Sequence, residues 1–377
     1  MRKKLPLLQA IAVLVGTTVG AGILGLPYVF AQAGFWTGFL VLVVVGLAML
    51  CLNLMFGEIV LRTTGQHQIS GYVEKYLGKF WKKFVSIFLA ITLFGALLAY
   101  FVAIGQALAA IVGGPALLFS LLFYIVFAAL VFKGVGAIKN AEFILGCLVW
   151  LVFFILIIFS WPHVKTSHIT AFDFKNILAP LGVLLFAYSG SIAIPSMKEI
   201  LVGKEKLFKK AILMGVLIPG IFYAIFSWAV VGATGLNTSE VATIGLGQLV
   251  GPFILVVGNV FACLTMSTGF LAVGLTLKGM FNYDYKIKHF WAWLLTMSVP
   301  LVIYFLGLHD FISIIGLAGA LGFGVEGVIY VLTFWHARKK SQRKPEYVLS
   351  TGFAVAASCF LFLVFGSGLF YTLINIF

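Results

Sequence analysis

The feature that most constrains this chain is a series of apolar stretches of about 20 residues, each long enough to cross roughly 30 Å of hydrocarbon as an α-helix. Of its 377 residues, 62% are hydrophobic and only 10% are charged, so polar side chains are too few to cover a water-soluble globule. A membrane β-barrel would alternate apolar and polar residues along short strands, whereas these stretches are apolar on every face. The sequence therefore predicts an all-α polytopic membrane protein.

We predict eleven transmembrane spans, separated by loops that alternate between basic and nearly uncharged. The predicted spans are 7–31, 35–61, 84–112, 115–132, 141–160, 176–197, 208–233, 244–277, 289–307, 310–335 and 347–374. Of the 25 lysines and arginines, all except Lys165 and Lys175 fall on the side of the N-terminus. The positive-inside rule then places the N-terminus and the basic loops in the cytoplasm, and an odd number of crossings leaves the C-terminus outside.

The net charge of +14 follows from this asymmetry, with some attraction to anionic lipid, and requires no nucleic-acid partner. The four cysteines lie inside apolar runs, where a thiol behaves as a small hydrophobic group, so we expect no disulfide and no metal site. We also expect no cofactor beyond a coupling ion. We expect the chain to work as a monomer in the plasma (cytoplasmic) membrane.

Two predicted spans contain segments that are poor helix formers. Span 1 holds Gly16–Pro27 (GTTVGAGILGLP), and span 6 holds Phe186–Pro195 (FAYSGSIAIP). Glycine costs about 1 kcal/mol and proline about 3 kcal/mol relative to alanine inside a helix, so both segments are expected to break. Because the breaks are five spans apart, 1–160 and 176–335 would form an inverted repeat, with 347–374 appended. Paired breaks in corresponding positions indicate the central site of a transporter.

A broken helix exposes groups that bind ions. Unpaired amides at a half-helix N-terminus attract a carboxylate, and freed carbonyls coordinate a cation, so an amino acid with a coupling cation suits such a site. A different interpretation is also open. Gly16 and Gly20 have the spacing of a small-residue face on which two helices pack.

The residues around both breaks resemble a known family. Val19–Pro27 (VGAGILGLP), Phe186–Gly190 (FAYSG) and Ile194–Met197 (IPSM) resemble the amino-acid/auxin permeases and the hydroxy/aromatic amino-acid permeases, within the amino acid-polyamine-organocation superfamily. The resemblance covers the whole chain. It implies the leucine-transporter-type fold, a 5+5 inverted repeat plus one extra C-terminal helix, with substrate held between the unwound spans 1 and 6.

The resemblance also implies a substrate site. The turn of small residues in span 1 would meet the substrate carboxylate, two threonines would lie beside its amine, and side chains of span 6 would line the opposite wall. The residues assigned to substrate are Thr17, Thr18, Gly20, Ala21, Gly22, Tyr100, Phe186, Tyr188 and Ser189. For the aromatic residues, ordinary packing is the competing interpretation, because phenylalanine is frequent throughout this chain.

The family's cation site lies between carbonyls of span 1 and hydroxyls of span 8. The corresponding positions are Gly16, Val19, Thr265 and Thr268, whose oxygens suit a monovalent hard cation. The two threonine hydroxyls have a competing role, since they can bond back to carbonyls of their own helix. Gly269 departs from the pattern, because sodium-coupled relatives commonly have serine there. One expected oxygen ligand is therefore missing, which puts sodium coupling in doubt.

A proton would instead need a titratable group within the membrane. Glu58 is followed four residues later by Arg62, the spacing of a structural ion pair on a helix. Glu326 is deeper, in the glycine-rich stretch of span 10, and an acid at that depth is a functional candidate. Both acids are candidates for proton binding or gating. Helix packing is the alternative role of Glu326.

The sequence therefore predicts a secondary transporter that carries a neutral L-amino acid by sodium or proton symport through alternating access. An uncoupled exchanger or facilitator and a channel-like pore are the alternatives. A channel would show a repeated filter motif or rings of charge, and an intramembrane enzyme would show a catalytic motif; the sequence contains neither. We expect the partners to be the amino acid and the lipid bilayer.

Overall fold

The computed structural model describes residues 5–65, 67–134 and 139–376, and most of these residues are helical. The basic N-terminal tail and Phe377, for which the charge pattern predicts opposite sides of the membrane, lie outside the described residues. We number the α-helices in chain order: α1 (Leu5–Thr18), α2 (Gly22–Ala33), α3 (Phe35–Arg62), α4 (Ile69–Leu77), α5 (Lys79–Val112), α6 (Ala116–Lys133), α7 (Lys139–Ser160), α8 (Leu181–Ala187), α9 (Ile194–Ile200), α10 (Phe208–Thr234), α11 (Ala242–Val250), α12 (Pro252–Gly279), α13 (His289–Phe305), α14 (Phe311–Leu317), α15 (Gly324–Lys339) and α16 (Thr351–Ile376).

The described residues contain eight helical segments long and apolar enough to cross a bilayer, and the bent pair of α1 and α2 makes a ninth. Two shorter apolar segments, Leu148–His163 and His289–Phe305, lie where spans 5 and 9 are predicted. Every predicted span thus coincides with a helix. The protein is an integral membrane protein, while the total of eleven crossings stays a prediction.

Both predicted breaks are present. The chain bends by 56° between α1 and α2, at the small residues that follow Thr18. The second break lies between α8 and α9, where Tyr188–Gly190 leave the helix and Ser191–Ala193 form a single 3-10 turn before Pro195 restarts it. Proline near the first position of a helix lacks only an amide that would be unpaired anyway, so it favours the restart there.

The prediction of one continuous span over 244–277 is wrong. The chain forms a short helix, α11, and then turns at Gly251 before α12 begins at Pro252. Gly251 has φ +131°, a conformation that glycine adopts without steric cost, and Pro252 sets the start of the next helix. In the first half, α4 lies at the corresponding place between the second and third spans. Each half therefore carries one short helix at the same point, as an inverted repeat requires.

A third irregularity was not predicted. Span 10 contains a π-helical turn, Ala318–Phe323, between α14 and α15. Gly319 faces the carbonyl of Gly182 on α8 so closely that no Cβ would fit between the two helices. The π-turn therefore lies where span 10 packs directly against the first half of the broken span 6.

The spans form two groups. In the first group, α10 packs along α1, α2 and α3, and α8 and α9 pack against α2, α3 and α1. In the second group, α5, α6, α12 and α13 pack on one another. The helix α7 contacts both α10 and α12, and the π-turn of span 10 contacts both α5 and α8. Both broken spans thus belong to one group, and the gap between the groups lies beside their breaks.

Candidate functional site

A cavity of about 650 Å³ lies between the two groups, at the level of both breaks. Most of the residues predicted for the site contribute to its wall. The predicted residues that line it are Gly16, Thr17, Val19, Gly20, Tyr100, Phe186, Ser189, Thr265, Thr268 and Glu326. The structure thus brings together residues from α1, α5, α8, α12 and α15, which are far apart in sequence. The other predicted residues, Thr18, Ala21, Gly22, Tyr188 and Glu58, lie outside the lining.

At the first break, the small residues serve close packing as well as the cavity wall. A Cβ at Gly22 would lie 2.5 Å from Cα of Ala187 and 2.7 Å from its Cβ, so the start of α2 touches the end of α8 directly. Thr18 is buried, donates its hydroxyl to the carbonyl of Leu14, and packs on Gly190 of the second break. Ala21 is fully buried beneath the turn. Thr18 and Gly22 thus join the two breaks to each other, and none of the three residues reaches the cavity surface.

Tyr188 lies outside the cavity lining. Its hydroxyl points away from the cavity into a slot between α3 and α10, where a Cβ at Gly46 would lie 2.9 Å and one at Gly220 2.6 Å from the Tyr188 oxygen. Its ring packs edge-to-face on Tyr223 at 5.3 Å. Phe186 and Ser189, on either side of it, do line the cavity. Tyr188 therefore fixes the unwound segment to its neighbours.

Tyr223 on α10 is an important residue that sequence reasoning missed. Its hydroxyl lies 2.8 Å from the carbonyl oxygen of Thr18 and 2.7 Å from that of Ala187. These carbonyls end α1 and α8, where helix termini leave acceptors without a partner in their own helix. Tyr223 is fully buried and connects both broken helices to α10. A lone tyrosine in an apolar span gives no sequence signal for this role.

Tyr100 on α5 lies between the first break and α12. A Cβ on Gly20 would lie 3.3 Å from the Tyr100 hydroxyl oxygen, and one on Gly269 would lie 2.5 Å from it. Gly269 therefore leaves the space that the tyrosine hydroxyl occupies. At the position where the sequence pattern lacks an oxygen ligand, a phenol oxygen from another helix fills the space.

The four residues of the predicted cation site face the cavity together, Gly16 and Val19 from α1 and Thr265 and Thr268 from α12. Both threonine hydroxyls donate to their own helix: Thr265 lies 3.0 Å from the carbonyl oxygen of Ala262, and Thr268 lies 2.9 Å from that of Thr265. This bonding uses the hydroxyl hydrogens and leaves oxygen lone pairs free to accept or to coordinate. The hydroxyls of Thr17 and Thr18 are bonded in the same way, to Val13 and Leu14.

The two candidate acids have different surroundings. Glu58 is fully buried outside the cavity, where it accepts hydrogen bonds from Arg62, Arg338 and the amide of Leu349. The predicted pair with Arg62 is confirmed at 2.7 Å, and this cluster ties α3, α15 and the segment before α16 together. Glu326, in contrast, lines the cavity, and its carboxylate accepts hydrogen bonds from the hydroxyl groups of Thr92 and Tyr330.

The cavity is open on one side of the breaks and closed on the other. We call the end of the bundle near Arg62, Lys198 and Arg338 the basic end. Toward it, Ala12 and Gly16 of α1 are solvent-exposed although they lie within a span. On the far side, α2 is buried, and a Cβ at Gly25 would lie 2.7 Å from a side-chain carbon of Ile315 on α14.

An acidic pair lies at the closed end. Glu240, in the loop before α11, faces Asp310, whose carboxylate caps α14 by accepting the amide hydrogen of Ser313 at 2.6 Å. Burial, followed by the hydrogen bond and charge of Asp310, raises the pKa of Glu240 to about 7. The loop before α11 and the start of span 10 therefore meet at a pair of carboxyl groups.

Comparison with solved structures shows the fold. The crystal structure of MhsT in complex with L-phenylalanine superposes with a TM-score of 0.74 at 16% sequence identity, covering 95% of this chain and 98% of the other. MhsT has the leucine-transporter-type fold. The predicted fold class is confirmed by this likeness.

Comparison with characterised sequences identifies relatives. The chain is 27% identical to tyrosine-specific transport system 1 of Haemophilus influenzae over 88% of both chains, and 25% identical to tyrosine-specific transport system 2 of that organism over 93% of both. Glutamine transporter 2 of Aliivibrio fischeri is 25% identical over 82% of this chain and 83% of its own length. These relatives are transporters and not enzymes, which confirms the prediction of a transport protein. The profile of the tryptophan/tyrosine permease family matches residues 3–369, so the chain belongs to that family of amino-acid permeases.

Proposed function

We propose that this chain is a secondary active transporter that carries a neutral L-amino acid with an aromatic side chain by cation symport. The observation that carries the proposal is the cavity itself, which has backbone of a broken helix on one wall and aromatic side chains on the others. The N-terminus of α2 begins at this break, and a helix N-terminus attracts a carboxylate.

The lining supports a neutral, aromatic substrate. Phe153, Phe186, Phe261 and Phe323 contribute to the wall, and the charged residue in the described lining is Glu326. Aromatic rings pack favourably edge-to-face on other rings, so such walls suit a phenol, phenyl or indole group. The tyrosine-specific relatives and the L-phenylalanine complex of MhsT support the same class of substrate.

The division of the spans into two groups supports alternating access. Both breaks belong to the group of α1–α3 and α8–α10, and the cavity separates it from α5, α6, α12 and α13. Rotation of one group against the other would close the basic end and open the opposite one. With the orientation that the positive-inside rule predicts, the state described here faces the cytoplasm.

Uptake into proteoliposomes tests the proposal. Purified protein is reconstituted and given a mixture of radiolabelled amino acids with an inward sodium gradient, an inward proton gradient or no gradient. Accumulation of an aromatic amino acid under one gradient is the expected result. Equilibration without accumulation under every gradient would contradict symport and favour a facilitator or exchanger.

The predicted cation site is tested by Thr268→Ala, which removes a hydroxyl from the cavity wall. If the driving cation binds at this site, the variant changes the dependence of uptake on that cation. Thr296→Ala is the matched control, because the Thr296 hydroxyl is also bonded to its own helix, at 2.8 Å from the carbonyl oxygen of Ala292. Thr296 is buried and is not part of the cavity lining. Identical cation dependence in wild type and Thr268→Ala would rule out this site.

A further inference from the structure

We propose that Glu326 is the proton-binding site of the transport cycle, so that the coupling ion is a proton held between Thr92 and Tyr330. This inference rests on the proposed symport function. It goes further by naming the ion, the residue that carries it and the side of the cavity on which it binds.

The hydrogen bonds around Glu326 serve both of its protonation states. The Thr92 hydroxyl oxygen lies 3.1 Å from Oε1, and the Tyr330 hydroxyl oxygen lies 3.1 Å from Oε2. When Glu326 is ionised, both hydroxyls can donate to it. The Thr92 oxygen also lies 3.1 Å from the carbonyl oxygen of Phe88. When Glu326 is protonated, Thr92 can donate to Phe88 and accept the new acid hydrogen.

Within the described part of the chain, no charged group holds Glu326 in one state. The ion pairs among the described residues do not include it, although it is only 1% exposed. A buried carboxylate without a cationic partner is costly, whereas its neutral form is readily accommodated. Glu58 is the contrasting case, since two arginines keep its charge satisfied.

The neighbouring helices present few titratable groups to Glu326. On its own helix these are Tyr330 and, about 18 Å further along by helix rise, Arg338, which is paired with Glu58 of α3. On α4, Tyr72 packs on Phe56, which also stacks on Tyr330. Glu74 of α4 pairs with Lys82 of α5. Tyr100 lies in the middle of α5, where it contacts Gly20 of the first break. The remaining titratable residues of the described packing helices are Cys51, Arg62, Lys75, Tyr76, Lys79, Lys83, His336, Lys339, Cys359 and Tyr371.

Glu326 lies where the cavity meets both groups of helices. It lines the cavity that opens toward the basic end, and it follows directly on the π-turn that contacts both α5 and α8. Gly322 of that turn packs on Thr92 so closely that no Cβ would fit. A change in the packing of span 10 would therefore move Glu326 relative to Thr92. In one cycle the carboxylate takes a proton from water on one side and returns the same proton to water on the other.

The geometry of the predicted sodium site favours the same assignment. A serine at Gly269 would place its Cβ 2.5 Å from the hydroxyl oxygen of Tyr100 and 2.8 Å from its Cζ. A side-chain oxygen ligand at that position is therefore incompatible with the observed place of Tyr100. The chain has a complete set of partners for a proton at Glu326 and an incomplete set for sodium.

The test is proton-driven uptake by the full chain in proteoliposomes with the membrane potential clamped at zero. A pH difference of one unit, acid outside, supports about tenfold accumulation if one proton moves with each amino acid. We expect wild type to approach this ratio and an internal pH dye to report about one proton per substrate. We expect Glu326→Gln to show an accumulation ratio near one and no proton uptake, while exchange of labelled for unlabelled substrate at equal pH persists.

Glu199→Gln is the matched control, because Glu199 is an exposed acid on α9 outside the cavity lining, and its accumulation should equal that of wild type. Proton-coupled accumulation by Glu326→Gln at the wild-type level would overturn the proposal. Loss of exchange in both Glu326→Gln and Glu326→Asp would assign Glu326 a packing or substrate-binding role and would also overturn it. Accumulation by the wild-type protein under a sodium gradient alone would refute proton coupling but would remain consistent with symport. Failure of wild type to exchange any amino acid would refute the proposed function itself.

Discussion

The contact between the two breaks can be tested by adding one methyl group. In Gly22→Ala, the new Cβ would lie 2.5 Å from Cα of Ala187 and 2.7 Å from its Cβ, whereas ordinary contacts lie at 3.4–4 Å. The start of α2 and the end of α8 must therefore separate by about 1 Å, and overpacking of this kind costs about 1–3 kcal/mol. Because the contact lies directly behind the cavity wall, we expect substrate affinity to fall by roughly tenfold, the equivalent of about 1.4 kcal/mol.

Gly366→Ala is the matched control, in α16 and outside the cavity lining. Among the described residues, nothing lies within 4 Å of a Cβ at Gly366, and alanine favours helix by about 1 kcal/mol over glycine. We expect this variant to keep wild-type affinity and thermal stability. The assay is equilibrium binding of a labelled aromatic amino acid to purified protein, together with the unfolding midpoint in detergent. Equal affinities and midpoints for the two variants would refute the packing argument.

Three further predictions concern residues around the site. Gly269→Ser should displace the Tyr100 hydroxyl and lower substrate affinity without creating sodium dependence; uptake that becomes sodium-dependent would contradict the steric argument. Tyr223→Phe removes the hydroxyl hydrogen that the buried carbonyls of Thr18 and Ala187 share, so the unfolding free energy should fall by about 1–3 kcal/mol, and an unchanged unfolding midpoint would contradict this role. The pKa of Glu240 is raised to about 7 by burial and by Asp310, so the folded protein binds one more proton than the unfolded chain between its ordinary pKa and 7. Stability should therefore fall as pH rises through this window, and Glu240→Gln should flatten the dependence of the unfolding midpoint on pH. The same pH dependence in both proteins would refute a contribution of Glu240.

The fold was predictable from sequence because its signals are local and strong. Apolar stretches, the distribution of lysine and arginine, and the two small-residue segments ending in Pro27 and Pro195 each depend on short windows of residues. The break at Gly251 was missed because its neighbours are apolar and one glycine before a proline looks like a variation within a span. The π-turn over 318–323 was missed because it depends on how closely α8 approaches, which no local pattern records.

The site was predictable to the level of helices, and less so to the level of side-chain direction. Tyr188 belongs to the same short segment as Phe186 and Ser189, yet it points into a slot that Gly46 and Gly220 leave between α3 and α10. Those two glycines lie in different spans, and neither belongs to a sequence motif that would predict the slot. Tyr223 was missed for the same reason, since its partners are backbone carbonyls whose exposure follows only from the assembled breaks.

Gly269 is interpreted differently from the sequence and from the structure. In the sequence it signals an absent oxygen ligand and weakens the case for sodium. In the structure the same glycine leaves space for the Tyr100 hydroxyl between α12 and the first break. Gly322 has the equivalent role beside Glu326, where it lets Thr92 approach the carboxylate. Both glycines allow a hydroxyl on α5 to contact the facing helix, one beside the first break and one beside Glu326. Because Thr92 and Tyr100 lie about two turns apart on the same rigid helix, a shift of α5 relative to the broken spans would act on both contacts together.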